Sequence, residues 1–387
     1  MASERTVIVF FAGNEVGGAA THVATWAEAL RHAQVHSRYR FVSLGDGPLA
    51  ERLRRMGMLS GQVTGTAGAV RGLTAAIRQE RAWILHSHGP RMNILASFAA
   101  SRAGVIWTAT IHSHPRYDFE GHRLKAALFP RLHLWRLAHA RGLFVVQPAL
   151  ADVLPCRTIL EVPNAFRPRP AQLAREDAAR LWRDRLGLGP QARLVGIVAR
   201  LDPVKQIDVA IRAVARLREM DVHLLVAGDG RDRARLQSEA DACGAADRVH
   251  FLGHLDEVAE LYAALELHVL PSKSEGSPFS ILEAGYYGAA NIGADVPGIR
   301  RMLRDGEAGL LVPPGDHDAL ADAMRRMLMD RGLCAAYVER FQTLVLPNYT
   351  PERMVVAYER GYTVLEEDAL RSGWKLPIDG VREEVSR

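Results

Sequence analysis

A chain of 387 residues, 48% hydrophobic and 24% charged, can bury substantial cores and is too long for one ordinary domain, so two domains are expected. No apolar run approaches the roughly 20 residues of a membrane span, Val7–Ala12 is too short for a secretory signal core, and three scattered cysteines, Cys156, Cys243 and Cys334, exclude a disulfide framework and a Cys-x-x-Cys metal knuckle, so a cytoplasmic protein with reduced cysteines is expected. The formal net charge of +5 is unevenly spread: residues 1–165 carry 19 Lys/Arg against 10 Asp/Glu, a surplus that suits nucleic acid, anionic lipid or a phosphorylated acceptor, and equally suits solvated arginines.

In chain order, apolar β-rich runs at Val7–Phe11, Tyr39–Ser43, Trp83–His86, Val105–Ile111 and Leu143–Val146 read as strands with helices between them. Residues 166–190, rich in proline around an Arg-rich helical stretch Gln172–Leu186, read as a linker. The rhythm then repeats with strands at Leu194–Val198, His223–Ala227, Val249–Phe251, Leu267–Leu270 and Gly309–Val312. An aromatic-bearing helix over 350–370 follows, expected to pack back on the N-terminal domain, and then a polar tail from near Arg371. The domains are therefore expected at 1–165 and 191–349, each an α/β, Rossmann-like doubly wound unit. Such sheets bind ligands at the carboxyl ends of their strands, so an interdomain cleft is the expected place for chemistry.

Two constellations carry that chemistry. Glu275-Gly276-Ser277-Pro278-Phe279-Ser280-Ile281-Leu282-Glu283 follows the strand Leu267–Leu270 and opens a helix. The N–H groups of Gly276 to Ser280 and the positive end of the helix dipole suit a diphosphate, while the carboxylates of Glu275 and Glu283 suit sugar hydroxyls. Upstream, Arg200 and Lys205 leave the end of strand Leu194–Val198, ahead of a helix with the apolar face Ile207, Ile211, Val214 and Leu217. Together such cations can neutralise a departing diphosphate in place of Mg²⁺. Taken singly, each feature also reads as helix capping or a solvated surface.

In combination these segments resemble retaining glycosyltransferase family 4, of GT-B fold. The family pattern Gly-Arg-Leu-x-x-x-Lys, Gly-x-Gly, Glu-x7-Glu-Ala and Gly-Leu-Leu-Val-Pro-Pro-Gly-Asp is met here by Ala199-Arg200-Leu201 with Lys205, Gly228-Asp229-Gly230, Glu275 to Ala284, and Gly309 to Asp316. Thinner matches in the first half are Gly17-Gly18-Ala19-Ala20-Thr21-His22, Thr108-Ala109-Thr110-Ile111-His112, Val162-Pro163-Asn164-Ala165 and the turn His88-Gly89-Pro90-Arg91. The resemblance implies that Arg200 and Lys205 hold the diphosphate, Glu275 the sugar and Glu283 the ribose, with Gly17, Gly18 and His112 beside the donor. The base is expected near Gly253-His254, and His22, His88, Arg91 and Asn164 on the acceptor side. Pro297-Gly298-Ile299-Arg300-Arg301 departs from a common Gly-Gly-Ile-Pro-Glu, and Tyr286, Tyr287 and Ala289-Ala290-Asn291 replace smaller or different residues, leaving the donor's identity open.

Other signals point elsewhere and are set aside. His86-Ser87-His88 and His112-Ser113-His114 alternate as strand-borne metal ligands would, yet no cysteine or carboxylate accompanies them at motif spacing. Asp316-His317-Asp318 has the Asp-x-Asp form of a Mg²⁺ or Mn²⁺ site but sits where a helix needs its cap. The first strand is followed by no Gly-x-Gly-x-x-Gly, and no Walker lysine loop exists. The expectation is a metal-independent, cofactor-free retaining glycosyltransferase that moves a hexose or N-acetylhexosamine from a nucleotide diphosphate sugar, UDP favoured over GDP, to a glycan, lipid-linked or small-molecule acceptor. Peripheral contact with an anionic membrane at its inner face is expected, and nucleic acid is not. The alternatives are a nucleotide-sugar epimerase of the same fold and a catalytically silent nucleotide-sugar binder.

Overall fold

A computed structural model describes residues 5–113 and 123–374; His114, the tail beyond Trp374 and the side chains of Arg123 and Lys125 lie outside the described residues. The chain divides into two compact units, one formed by Met1–Ala165 with the C-terminal segment from Thr350, the other by Phe166–Tyr349.

The first unit is built on seven parallel strands: β1 (Arg5–Ala12), β2 (Ser37–Leu44), β3 (Leu59–Val63), β4 (Ile84–His88), β5 (Ile106–Ile111), β6 (Gly142–Val145) and β7 (Ile159–Glu161). Their order is β3-β2-β1-β4-β5-β6-β7. The unbroken apolar run of β1 is what a strand covered on both faces requires. Its alternating side chains serve two cores: Val7, Val9 and Phe11 pack with Trp26, Tyr358 and Tyr362, whereas Ile8 and Phe10 pack with Leu85, Met92 and Ala96.

The helix Pro351–Arg371, capped by the Thr350 hydroxyl on the Arg353 amide, supplies much of the first core. Its Met354, Tyr358, Tyr362, Leu365 and Ala369 are fully enclosed and recur at three- and four-residue spacing, the stripe of an amphipathic helix. At the remaining contact Gly361 gives way, because a Cβ there would lie 2.3 Å from the Phe144 ring.

The second unit has six strands: β8 (Arg193–Val198), β9 (Val222–Ala227), β10 (Val249–Gly253), β11 (Leu267–Leu270), β12 (Ala290–Ala294) and β13 (Leu310–Val312). They are parallel in the order β10-β9-β8-β11-β12-β13. The order reverses at β8, where the neighbours β9 and β11 flank it. Such a topological switch point opens a crevice at the carboxyl edge. The helix Ile207–Arg216 buries Ile207, Ile211 and Val214 against this sheet, followed by buried Leu217. The helix inside the proline-rich stretch spans Arg175–Leu186, and its Ala178, Ala179 and Trp182 pack with Leu194, Leu225 and Tyr262 of this unit.

Three strands, β3, β7 and β12, have no counterpart in the sequence reading. The first two lie at the sheet edges and are half-exposed, and β12 reads Ala-Asn-Ile-Gly-Ala, poor in the β-branched and aromatic residues that announce strands. No helix among the described residues is long and apolar enough to cross a membrane.

Candidate functional site

In the second unit the site is assembled at the carboxyl ends of β8 and β11. Two glycines after β9 let its loop lie flat on the loop after β8. A Cβ on Gly228, at φ +131°, would stand 1.9 Å from the Ala199 carbonyl oxygen, and one on Gly230 would stand 2.4 Å from that of Leu201. Leu201 donates to the Asp229 carbonyl at 3.0 Å, and the Lys273 amide after β11 donates to that of Val204 at 2.8 Å. The loop carrying Arg200 and Lys205 is thereby pinned on two sides.

Within that frame Lys205 Nζ donates to Glu275 Oε1 at 2.6 Å, both side chains largely buried. The two residues were expected to act on different parts of a ligand; the structure joins them into one ion pair. A pair so enclosed must be well satisfied to repay its desolvation, and it fixes the lysine on β8's loop against the carboxylate on β11's. Arg200 takes a different position. Its side chain is 70% exposed and pairs with Asp202, which also receives Arg231 at 3.4 Å.

Immediately after Glu275, the chain turns into the helix Phe279–Tyr286. Pro278 occupies its N-cap and makes no side-chain cap hydrogen bond, so the start of the helix brings backbone donors and its positive end to this edge. Ser277 is buried, with its hydroxyl 3.8 Å from Met302 Sδ, while Phe279 and Ser280 are half-buried. Gly298 closes the floor: a Cβ there would lie 2.3 Å from the carbonyl oxygens of both Glu275 and Gly276. The unusual Arg301 is exposed, on the same short helix Pro297–Met302.

Glu283 stands one turn further along and accepts a 2.9 Å hydrogen bond from Tyr262. Burial pushes its carboxyl up to about 7, against the pull of that hydrogen bond. Tyr262, which the sequence did not single out, lies with its ring parallel to that of Tyr287. At the end of β10, Gly253 adopts φ +73°, and His254 beyond it is exposed, 3.7 Å from Asp256. Asp316 caps the helix His317–Met329 by accepting from the Ala319 amide at 2.9 Å, and Asp318 pairs with Arg216. The Asp-x-Asp motif is thus used as a cap and an ion pair.

The first unit gathers its histidines at the carboxyl ends of β4 and β5. Gly17, at φ +75°, begins the helix Gly18–Leu30, and His22 on that helix is fully buried. One set of tautomers and hydroxyl rotors satisfies the whole chain of contacts. Tyr362 donates to His86 Nδ1 at 2.8 Å, and His86 Nε2 donates to Thr110 at 2.7 Å. Thr110 donates to Tyr358 at 2.8 Å, Tyr358 to His22 Nε2 at 2.7 Å, and His22 Nδ1 to Asn164 Oδ1 at 2.7 Å.

His88 Nδ1 lies 3.1 Å from His112 Nε2, and the ring of His112 meets that of His22 edge-on at 4.9 Å. Burial is the leading cause that depresses all four imidazoles, His22 to about 4 and His86, His88 and His112 well below the usual histidine range, with neighbouring histidines adding to the effect. They are neutral hydrogen-bonding groups at physiological pH. Among the described residues, no three or more His, Cys, Asp or Glu are arranged to hold a metal ion. Arg91 is exposed at the start of the helix Pro90–Ala103. Tyr358 and Tyr362, spaced four apart on the last helix, are the members the sequence could have offered as an aromatic stripe.

The family model for glycosyl transferases group 1 matches residues 179–343, and that for glycosyltransferase family 4 matches residues 16–158. The 2-deoxystreptamine glucosyltransferase of Streptomyces kanamyceticus is 29% identical over 70% of this chain and 77% of its own length. The N-acetyl-alpha-D-glucosaminyl L-malate synthase of Bacillus anthracis is 32% identical over 47% of this chain and 48% of its own. Several other curated relatives are likewise matched over less than half of their length. Among solved structures, Anabaena Alr3699/HepE in complex with UDP-glucose aligns with a TM-score of 0.79 at 18% identity, covering 94% of this chain and 99% of that one. Two parallel sheets of this topology, each matched by its family model in the right order, place the chain in glycosyltransferase family 4, with the GT-B fold.

Proposed function

We propose that this protein is a retaining, metal-independent glycosyltransferase that transfers a hexose or N-acetylhexosamine from a UDP-sugar to a glycan, lipid-linked or small-molecule acceptor. The observation that carries the reading is the Lys205–Glu275 pair at the switch point of the second sheet, beside a helix start whose N-cap residue is Pro278. The preference for uridine draws on the solved neighbours in complex with UDP and UDP-glucose.

In this reading the diphosphate lies on the amides of Gly276 to Ser280, with Arg200 swinging from solvent to join Lys205 on its oxygens. Breaking the bond from the anomeric carbon sends its electron pair to the diphosphate, and the developing charge is stabilised by cations and dipoles already in place, without a metal ion. The acceptor oxygen bonds to the anomeric carbon from the face the diphosphate leaves, and its proton passes to a diphosphate oxygen, so configuration is retained. Lys205 orients Glu275 toward the sugar hydroxyls, Glu283 takes the ribose, and the base lies along Gly253-His254. From the first unit, Gly17, Gly18 and neutral His112 are assigned to the donor, with His22, His88, Arg91 and Asn164 toward the acceptor. His112 and His88 then act as uncharged hydrogen-bond partners.

The test is a panel of nucleotide sugars screened by thermal shift, where a ligand at about 100 times its dissociation constant adds about 2.7 kcal/mol. Nucleotide release is then measured with and without acceptor, and the product's anomeric configuration is read by NMR. Release that needs no acceptor and leaves an altered free sugar would make the protein an epimerase. Binding without release would make it a silent nucleotide-sugar binder. An inverted product would overturn the retaining step.

A further inference from the structure

At the amino ends of β5, β6 and β7, the first unit holds a cavity of about 680 Å³ among Arg136, Arg141, Arg157, His139, Ser101 and Trp374. It opens at the sheet edge opposite His88 and His112, roughly 20 Å away, since β5 advances about 3.3 Å per residue over its length. Its chemistry is therefore separate from that of the carboxyl edge. Among the described residues the lining is one-sided in charge: Asp368 is its only acidic member, and Asp368 is half-exposed and paired with Arg141 at 3.3 Å.

Arg136 is the telling member. Its residue is only 6% exposed, its Nε donates to Ser97 at 2.7 Å, and its guanidinium lies over the rings of Phe98 and Trp135 at 4.3 and 5.0 Å. No carboxylate among the described residues pairs with it. Arginine does not neutralise itself by losing its proton, so an enclosed guanidinium without a counter-charge is costly unless a ligand brings one. Burial accordingly depresses its proton affinity. The flanking aromatic rings offset part of that cost and hold the planar fork in one orientation. Arg141 is positioned in the same way, donating to Ser372 at 2.9 Å and lying over Trp374, while Arg157 is exposed at the rim.

We propose that this cavity is a binding site for the phosphate group of a phosphorylated ligand, held by Arg136, Arg141 and Arg157 and independent of the donor site. Three guanidiniums, two of them preset by stacking and hydrogen bonds, match the bidentate geometry that phosphate oxygens accept. The phosphate can belong to a lipid headgroup or to a soluble phosphorylated molecule.

The experiment measures binding of labelled inorganic phosphate to the full chain by equilibrium dialysis. A background of Arg200→Ala with Lys205→Ala keeps the donor loop from contributing. Adding Arg141→Gln with Arg157→Gln is expected to weaken binding about tenfold or more, as loss of charge-assisted contacts implies. Unfolding temperature is followed in parallel, and the single change Arg157→Glu at the exposed rim serves if the double variant does not fold. Retention on phosphatidylglycerol vesicles but not phosphatidylcholine vesicles, competed by phosphate and lost in the Arg141/Arg157 variant, would assign the lipid headgroup. Phosphate binding without vesicle retention would assign a soluble ligand. No saturable phosphate binding in the Arg200/Lys205 background, or unchanged affinity in folded Arg141/Arg157 and Arg157→Glu variants, overturns the proposal.

Discussion

Tyr262, on the helix Ala259–Ala264, donates its hydroxyl to Glu283, on the helix Phe279–Tyr286, at 2.9 Å. The carboxyl group it serves is raised to about 7 by burial, above the value it takes in an unfolded chain. Between about 4.5 and 7 the folded state therefore holds a proton that the unfolded state has lost, and stability falls as pH rises through that window. Urea titrations at pH 5 and pH 7.5 should show this loss in the wild type and a flatter response in Glu283→Gln. Tyr262→Phe removes a hydrogen bond to the charged form, so it should extend the loss to higher pH.

Replacing Lys205 with alanine leaves Glu275 enclosed without its 2.6 Å partner and deprives the diphosphate of a cation. The expected cost is about 2–4 kcal/mol in the transition state, roughly 30-fold or more in turnover. Arg200→Ala should match it in rate while leaving the unfolding temperature nearly unchanged, because Arg200 is solvent-exposed in the free protein. Wild-type kinetics for both variants at saturating donor would remove these residues from the mechanism.

Asp316 is held as a cap by the Ala319 amide. Asp316→Ala should lower stability by about 1 kcal/mol, a usual N-cap loss, with turnover preserved in the presence of a chelator. A rate abolished by chelation and restored by Mn²⁺ would return Asp316 and Asp318 to the role of ligands.

Tyr358→Phe deletes the hydroxyl that bridges Thr110 and His22. Two buried polar groups lose their partner at once, and the cost should be about 1–3 kcal/mol for each left unsatisfied, read by denaturant titration. The neighbouring imidazoles add an acid dependence of the opposite sense to that of Glu283. With His22 depressed to about 4, the unfolded state takes up a proton first as pH falls below about 6.5, and stability drops toward pH 4. Tyr358→Phe should lower the midpoint without abolishing this acid slope.

Both doubly wound sheets could be read from the sequence because their central strands are buried on two faces and announce themselves as apolar runs, as in Val7–Phe11 and Leu267–Leu270. Leu59–Val63 and Ile159–Glu161 could not, since an edge strand is ordered by its neighbour's backbone more than by its own side chains. In the site, spacing placed Lys205 and Glu275 at strand ends correctly but gave no hint that they bond to each other. That pairing depends on which loops adjoin β8 in space, and β11 adjoins it only through a crossover. The histidine chain was legible in pieces: His22 and Asn164 were singled out, yet the hydroxyls of Tyr358 and Tyr362 that complete it arrive from more than 240 residues away.

That last helix also sets an order of events during synthesis. Phe166–Tyr349 is contiguous in the chain and can be completed as soon as it leaves the ribosome, whereas the segment begun at the amino terminus waits until Pro351–Arg371 has followed it. Until then Trp26, Phe41 and Phe144 lack the face that Tyr358, Tyr362 and Leu365 provide, and apolar surface in that state is open to other chains or to a chaperone. The half that is translated first is thus the half that matures second, and a nonsense codon near residue 350 would damage the fold at the opposite end of the message.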